Sequence, residues 1–269
     1  MKRMLALLAA LMLLLCSAGA EISLPGYDKE AGYTYVTLGS YPQWIDGGDP
    51  KEMAWKWSRE NMWATHLTKN DVPFSPILWR VLYSDEADAC LLSEYVLFAM
   101  PMHWQGKGKQ AEYKKIGAGF VGTDLCTYLN GEFLSDAFTE EQAALLIPEE
   151  SGIRVSLATT AELKNKAYGM GTNAARKGWA TEYAIRVTRV FVYRTAVGMH
   201  TPYWLRDQAS NQKDHTRCIK QTGEIGHINC ITENEGARPL VHLSLKDCAI
   251  ESGSGTFEDP YVIIPGKAE

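Results

Sequence analysis

The residues of this sequence with chemistry to offer are clustered acids, scattered cysteines and histidines, and a local density of tryptophan. Hydrolysis of a glycosidic bond needs two carboxyl groups flanking the sugar, and Glu132, Asp136, Glu140, Glu141, Glu149 and Glu150 supply many pairs. That abundance selects no two of them, because acids on helices and turns ordinarily form a solvated face. A thiol nucleophile needs a base beside it to lower its effective pKa. Cys126 follows Leu125 in a run with helical spacing, so it reads as a small buried side chain, and no catalytic residue is assigned. Trp44, Trp55, Trp57 and Trp63 place half of the eight tryptophans within twenty residues. Flat indole faces fill cores, and they also stack on sugars or anchor protein interfaces, which makes these four binding candidates.

Three arginines sit inside apolar strand segments: Leu78-Trp79-Arg80-Val81, Tyr203-Trp204-Leu205-Arg206 and Ala237-Arg238-Pro239-Leu240. A guanidinium in such a place needs a carboxylate or carbonyl partner, because an unpaired buried charge is costly. Trp79, Arg80 and Arg238 are read as structural, and Trp204 with Arg206 as the pair that could face a ligand. No CxxC pair occurs, and His66, His103, His200, His215, His227 and His242 lack ligand spacing, so no metal site and no cofactor are expected.

The elements that must position these groups are legible in part. Alternation marks Tyr33 to Leu38 as a strand ended by the turn residues Gly39-Ser40-Tyr41-Pro42. Lys51 to His66 could be a helix carrying three of the tryptophans. Ile77 to Tyr83 and Cys90 to Tyr95 read as a hairpin across the acidic turn 84–88. Gly106 to Gly122 reads as an exposed loop. Asp124 can cap a helix carrying Leu125, Tyr128, Leu129 and Phe133, and Thr139 and Thr159 each begin a capping box that starts a further helix. Ile153 to Leu157, Ala184 to Tyr193, Tyr203 to Arg206, Thr216 to Gln221, Ile225 to Thr232 and Pro239 to Leu243 carry strand signals. Strands at both ends with helices between them predict an α+β fold of mostly antiparallel strands packed with a few helices.

Composition bounds the rest. Lys2 and Arg3 precede an apolar run from Met4 to Leu15 and the small residues Ala18-Gly19-Ala20, the pattern of a secretory signal peptide cleaved before Glu21. Loss of Lys2 and Arg3 takes the net charge from −5 to −7, and an acidic chain with no long basic run is a poor candidate for nucleic acid. Nothing later is apolar enough to span a membrane. A single domain over 21–250, followed by a C-terminal tail over 251–269, is expected, acting outside the cytoplasm or in the cell envelope.

Five cysteines remain after cleavage, Cys90, Cys126, Cys218, Cys230 and Cys248, and an odd count leaves at least one thiol free. In the hairpin 216–232, a two-residue turn at Gly223-Glu224 sends Cys218 and Cys230 to opposite faces. A three- or five-residue loop centred on Glu224 would set them opposite each other. The two-residue register has the better apolar pattern, so no bridge between them is expected.

Six pieces in order over residues 33–243 resemble a family of bacterial domains of unknown function found in secreted proteins of gut anaerobes. They are Leu38-Gly39-Ser40-Tyr41-Pro42-Gln43, Pro76 to Leu82, Leu91 to Leu97, Leu129 to Phe133, Tyr203 to Arg206 and Gly236 to Leu240. The last strands also resemble the C-type-lectin-like fold shared with formylglycine-generating proteins. The reactive cysteine pair of those oxidases has no match here, so their activity is not carried over. The resemblance implies an exported, non-catalytic recognition domain binding a glycan or protein surface. The alternatives are an enzyme acting on cell-wall or dietary polysaccharide and a structural envelope module.

Overall fold

Alternation along the central strands divides the protein into two hydrophobic cores, one on each face of its main sheet. The computed structural model describes residues 22–45, 67–104, 119–149, 151–195, 198–210 and 212–266. The expected signal peptide, the segment carrying Trp55, Trp57 and Trp63, and most of the loop from Gly106 lie outside the described residues.

The strands in chain order are β1 Tyr35–Pro42, β2 Phe74–Ser84, β3 Asp88–Ser93, β4 Tyr95–Val96, β5 Phe98–Ala99, β6 Val155–Leu157, β7 Gly178–Ala180 and β8 Tyr193–Thr195. They continue with β9 Gly198–Thr201, β10 Tyr203–Gln208, β11 His215–Ile219, β12 Ile225–Asn229, β13 Gly236–Ala237, β14 Pro239–Ser244, β15 Cys248–Ser252 and β16 Tyr261–Pro265. The helices are α1 Asp124–Tyr128, α2 Leu134–Ala137, α3 Glu140–Ala144, α4 Thr160–Lys164, α5 Asn173–Arg176 and α6 Glu182–Arg186, with a π-helical turn at Leu129–Phe133 joining α1 to α2. Strands outweigh helices and most pairings are antiparallel, so the chain is a mixed α/β fold of the kind its strand and helix signals predict.

The main sheet runs β15-β16-β1-β2-β3-β14-β6, beside a five-stranded sheet β12-β11-β10-β13-β5 and a four-stranded sheet β4-β7-β9-β8. Successive side chains of a strand point to opposite faces. Ile77, Trp79, Val81, Leu91 and Val241 therefore enter one core, and Leu82, Cys90, Leu92 and Leu240 enter the other. Trp79 and Trp204 are both fully buried, and each indole N–H donates to a backbone carbonyl, of Leu38 and Met100 respectively, at 2.8 Å. A buried indole needs such a partner.

The expected hairpin forms as β2 and β3. Both threonine capping boxes are present, Thr139 with Gln142 and Thr159 with Glu162. Other readings need correction. The strand β1 continues through Pro42, because a bulge between Thr37 and Ser40 and a left-handed Gly39 (φ 69°) let it pass the point where a turn was expected. Thr123, not Asp124, caps α1, its hydroxyl accepting from Cys126 N at 3.0 Å. The segment read as a strand from Ala184 begins instead as the helix α6, capped by Thr181. Its Ile and Val content favours strands, and burial of Tyr183, Ala184 and Ile185 overrides that preference.

The boundary expected at residue 250 does not divide the structure. β15 and β16 pair with each other, β16 pairs in parallel with β1, and Tyr35 N donates to Gly255 O at 2.9 Å. These strands complete the edge of the main sheet, so residues 251–266 belong to it and are not a tail.

The hairpin β11–β12 takes neither expected register. Cys218 pairs with Gly226 and Ile219 with Ile225, while Lys220 N donates to Glu224 O, which leaves a loop of Gln221, Thr222 and Gly223. Gly223 adopts φ 83°, the left-handed position that three-residue hairpins require. Cys230 lies past the last pair, across from Asp214, and all five described cysteines are free thiols.

Candidate functional site: an aromatic-rimmed cleft

The arginines and tryptophans singled out by the sequence have separate fates. Arg80 forms a bidentate pair with Glu94, with N–O distances of 2.7 and 2.8 Å, and its guanidinium lies 4.3 Å from the Tyr33 ring centre. Arg238 is fully buried, donating to Ser93 O and the Tyr203 hydroxyl, with Glu94 3.9 Å from its remaining nitrogen. One carboxylate thus serves two guanidinium groups inside the protein. Arg206 forms a bidentate pair with Glu149, at 2.7 and 2.8 Å, and is only partly buried. Both its oxygen partners are supplied by the protein, so it has less to offer a ligand than the sequence suggested.

Trp204 is withdrawn from solvent on every side, which removes it from the set of ligand-facing residues. Trp44 is half-buried and meets Tyr95 edge to face at 5.3 Å. Trp55, Trp57 and Trp63 fall outside the described residues.

The accessible chemistry lies elsewhere. An open cleft of about 1030 Å³ is floored by apolar groups such as Phe98, Met100 and Val190, and it is rimmed by Trp104 and Phe191. Trp104 is 45% exposed and Phe191 46%. Both rings are held by ordered backbone. His103 N donates to Cys230 O at 3.0 Å, and Trp104 N donates to the Asp124 carboxylate at 2.9 Å. Phe191 N donates to Asn234 O at 2.8 Å, tying one wall to the other.

Polar groups line the same space. Tyr128 and Glu132 project from α1 and the π-helical turn, Glu233 and Asn234 precede β13, and Arg189 follows α6. A π-turn widens the helix by one residue and often marks a functional site. Here Asn130 fixes it: its amide accepts from Arg154 N and Val155 N and donates to Cys126 O and Val155 O. Glu132 reaches out to Lys69 at 3.5 Å. Arg189 is the one described non-glycine residue with positive φ, at 60°. Strain of this kind persists where surrounding structure enforces it.

Glu235 lies one residue beyond the lining residue Asn234. It is 2% exposed, and its Oε1 has no hydrogen-bond partner among the described residues. Burial pushes its carboxyl up to about 8, so it carries a proton at neutral pH, with the Cys218 thiol as its side-chain contact. A buried neutral acid can stand where a carboxylate could not.

The sequence did not single out Trp104 or Phe191. Trp104 is a lone tryptophan beside a loop, and Phe191 lies in the segment misread as a strand. Among the described residues, one trio of metal-type donors comes together, Cys90, Glu162 and His242, and none of the three lines the cleft. No helix of the described residues is long and apolar enough to cross a membrane.

No curated protein and no solved structure matches the chain. A family model does, over residues 86–245, more than half of the chain and the whole stretch that supplies the cleft. The chain therefore belongs to the family described as a domain of unknown function, DUF6273.

Proposed function

We propose that the protein is an exported recognition domain whose cleft binds a glycan without catalysing a reaction on it. One observation carries this reading: Trp104 and Phe191 stand half-exposed on the rim of an open apolar cleft. Exposed aromatic clusters at a concave surface mark binding sites. Ring faces cover the C–H faces of a sugar, and Glu132, Glu233 and Asn234 supply acceptors and donors for its hydroxyls. The signal-peptide pattern of residues 1–20 supports export, and the resemblance to C-type-lectin-like domains supports a recognition role over an enzymatic one.

A second reading has its own support. Glu132 and Glu233 line the same cleft, and two carboxyl groups across a sugar are what a glycosidase needs. Probing an array of cell-wall and dietary glycans, with assay of reducing ends on the same polymers, separates the two. The recognition reading expects retention of a glycan by the wild-type chain, loss of retention in Trp104→Ala, and no reducing ends released. Release of reducing ends that disappears in Glu132→Gln or Glu233→Gln would make the protein a hydrolase instead.

A further inference from the structure

On the second face of the main sheet, three donors of different chemistry converge. Cys90 on β3 and His242 on β14 are direct antiparallel partners, so their side chains leave the sheet side by side. Glu162 on α4 closes over them, and no two of the three donor atoms are more than 4.8 Å apart. They come from positions 90, 162 and 242, so no local spacing announces the group.

From these observations we propose that Cys90, Glu162 and His242 bind a zinc-type divalent cation, with a water completing a tetrahedral shell. A thiolate, an imidazole and a carboxylate are the zinc donor types, and three protein ligands with one open position is a known zinc arrangement. Zinc-to-ligand distances of about 2.0–2.3 Å require the donors to close by less than about 1 Å from where they stand.

The surroundings fit the same role. Asp88 Oδ2 lies 3.4 Å from His242 Nδ1, which fixes the ring and leaves Nε2 as the ligand nitrogen, the carboxylate–histidine–metal arrangement. Glu162 is held through Oε2, which accepts from Thr159 N at 2.6 Å and Thr159 Oγ1 at 2.8 Å, so Oε1 is the free oxygen. Tyr83, stacked on Tyr168 at 4.6 Å and edge-on to His242 at 6.1 Å, walls the site. Cys90 is fully buried, which closes it to a substrate and argues against a thiol nucleophile, while the partial exposure of His242 and Asp88 gives a cation a way in.

Cobalt(II) titration of the purified chain tests this, since a thiolate ligand gives a sulfur-to-cobalt charge-transfer band in the near ultraviolet. The expected result is one equivalent of cobalt bound with that band, displaced by zinc, and a zinc-dependent rise in melting temperature. Cys90→Ser and His242→Gln abolish the band, Cys248→Ser at another buried cysteine keeps it, and Asp88→Asn weakens zinc binding about 10–100-fold. Should Cys90→Ser fail to fold, His242→Gln and the wild-type spectrum decide. Absence of the band in wild type, or its survival in His242→Gln or Cys90→Ser, overturns the assignment.

Discussion

The arginine cluster and the aromatic cleft treat polar and aromatic groups in opposite ways. In the cluster, Arg80 and Glu94 are paired out of water, and Arg238 donates to Ser93 O and the Tyr203 hydroxyl with Glu94 3.9 Å away. In the cleft, Trp104 and Phe191 remain open to solvent and Glu132, Glu233 and Asn234 are left facing the space between walls. The contrast separates what holds this fold from what it can offer a partner. Arginine within an apolar strand is a signal for bracing, and the side chains available to a ligand come from the connections between elements.

The largest expected effect breaks the closed side of that comparison. Arg80→Leu removes both close donors from the buried Glu94 carboxylate, leaving only Arg238 at 3.9 Å, and should destabilise by about 3–5 kcal/mol. Arg206→Leu removes a partly exposed pair with Glu149 and should cost about 1 kcal/mol. Urea denaturation of the two variants measures the difference. Equal losses would show that burial does not set the worth of these arginines.

Glu235 follows the cleft residue Asn234 in the chain and is buried like the cluster, with Oε1 unpaired. Its folded-state pKa, pushed up to about 8, stands above the ordinary carboxyl value of 4.5. The unfolded chain therefore releases this proton first, and stability should fall as pH rises from about 4.5 to about 8, then level off. By pH 7 the cost is of the order of 3 kcal/mol. Glu235→Gln should flatten that decline and make the protein more stable than wild type at neutral pH. Denaturation midpoints across the range test this, and parallel pH profiles for the two proteins would contradict it.

Local signals brought out a definite part of this molecule. The β2–β3 hairpin and the capping boxes at Thr139 and Thr159 are fixed by neighbours in sequence, and each was readable. The parallel pairing of β16 with β1 joins residues more than two hundred positions apart, and Tyr261 to Pro265 carries no turn or cap to announce it. The helix α6 was hidden by the β-branched residues from Ile185 to Val192 that run out of it, and Thr181 lacks the acidic partner three positions on that completes a capping box. The hairpin loop around Gly223 kept Cys218 and Cys230 apart through a register that the apolar pattern did not suggest. The candidate site was the least legible part: Trp104, Glu132, Phe191 and Glu233 come from four separate stretches, and only Glu132 drew attention from the sequence, as one acid among many.

The smallest expected effect on stability is the most telling one for function. Trp104→Ala/Phe191→Ala removes rings that are already half in water, so the melting temperature should barely change, by the equivalent of about 0.5 kcal/mol. Affinity electrophoresis of this variant and the wild type through gels containing cell-wall and dietary polysaccharides tests the central claim. The wild-type chain should be retarded by at least one polysaccharide, and the double variant should bind it about thirty-fold more weakly. Equal retardation of the two proteins, or no retardation of the wild type by any polysaccharide, would contradict the assignment of this cleft as the glycan site.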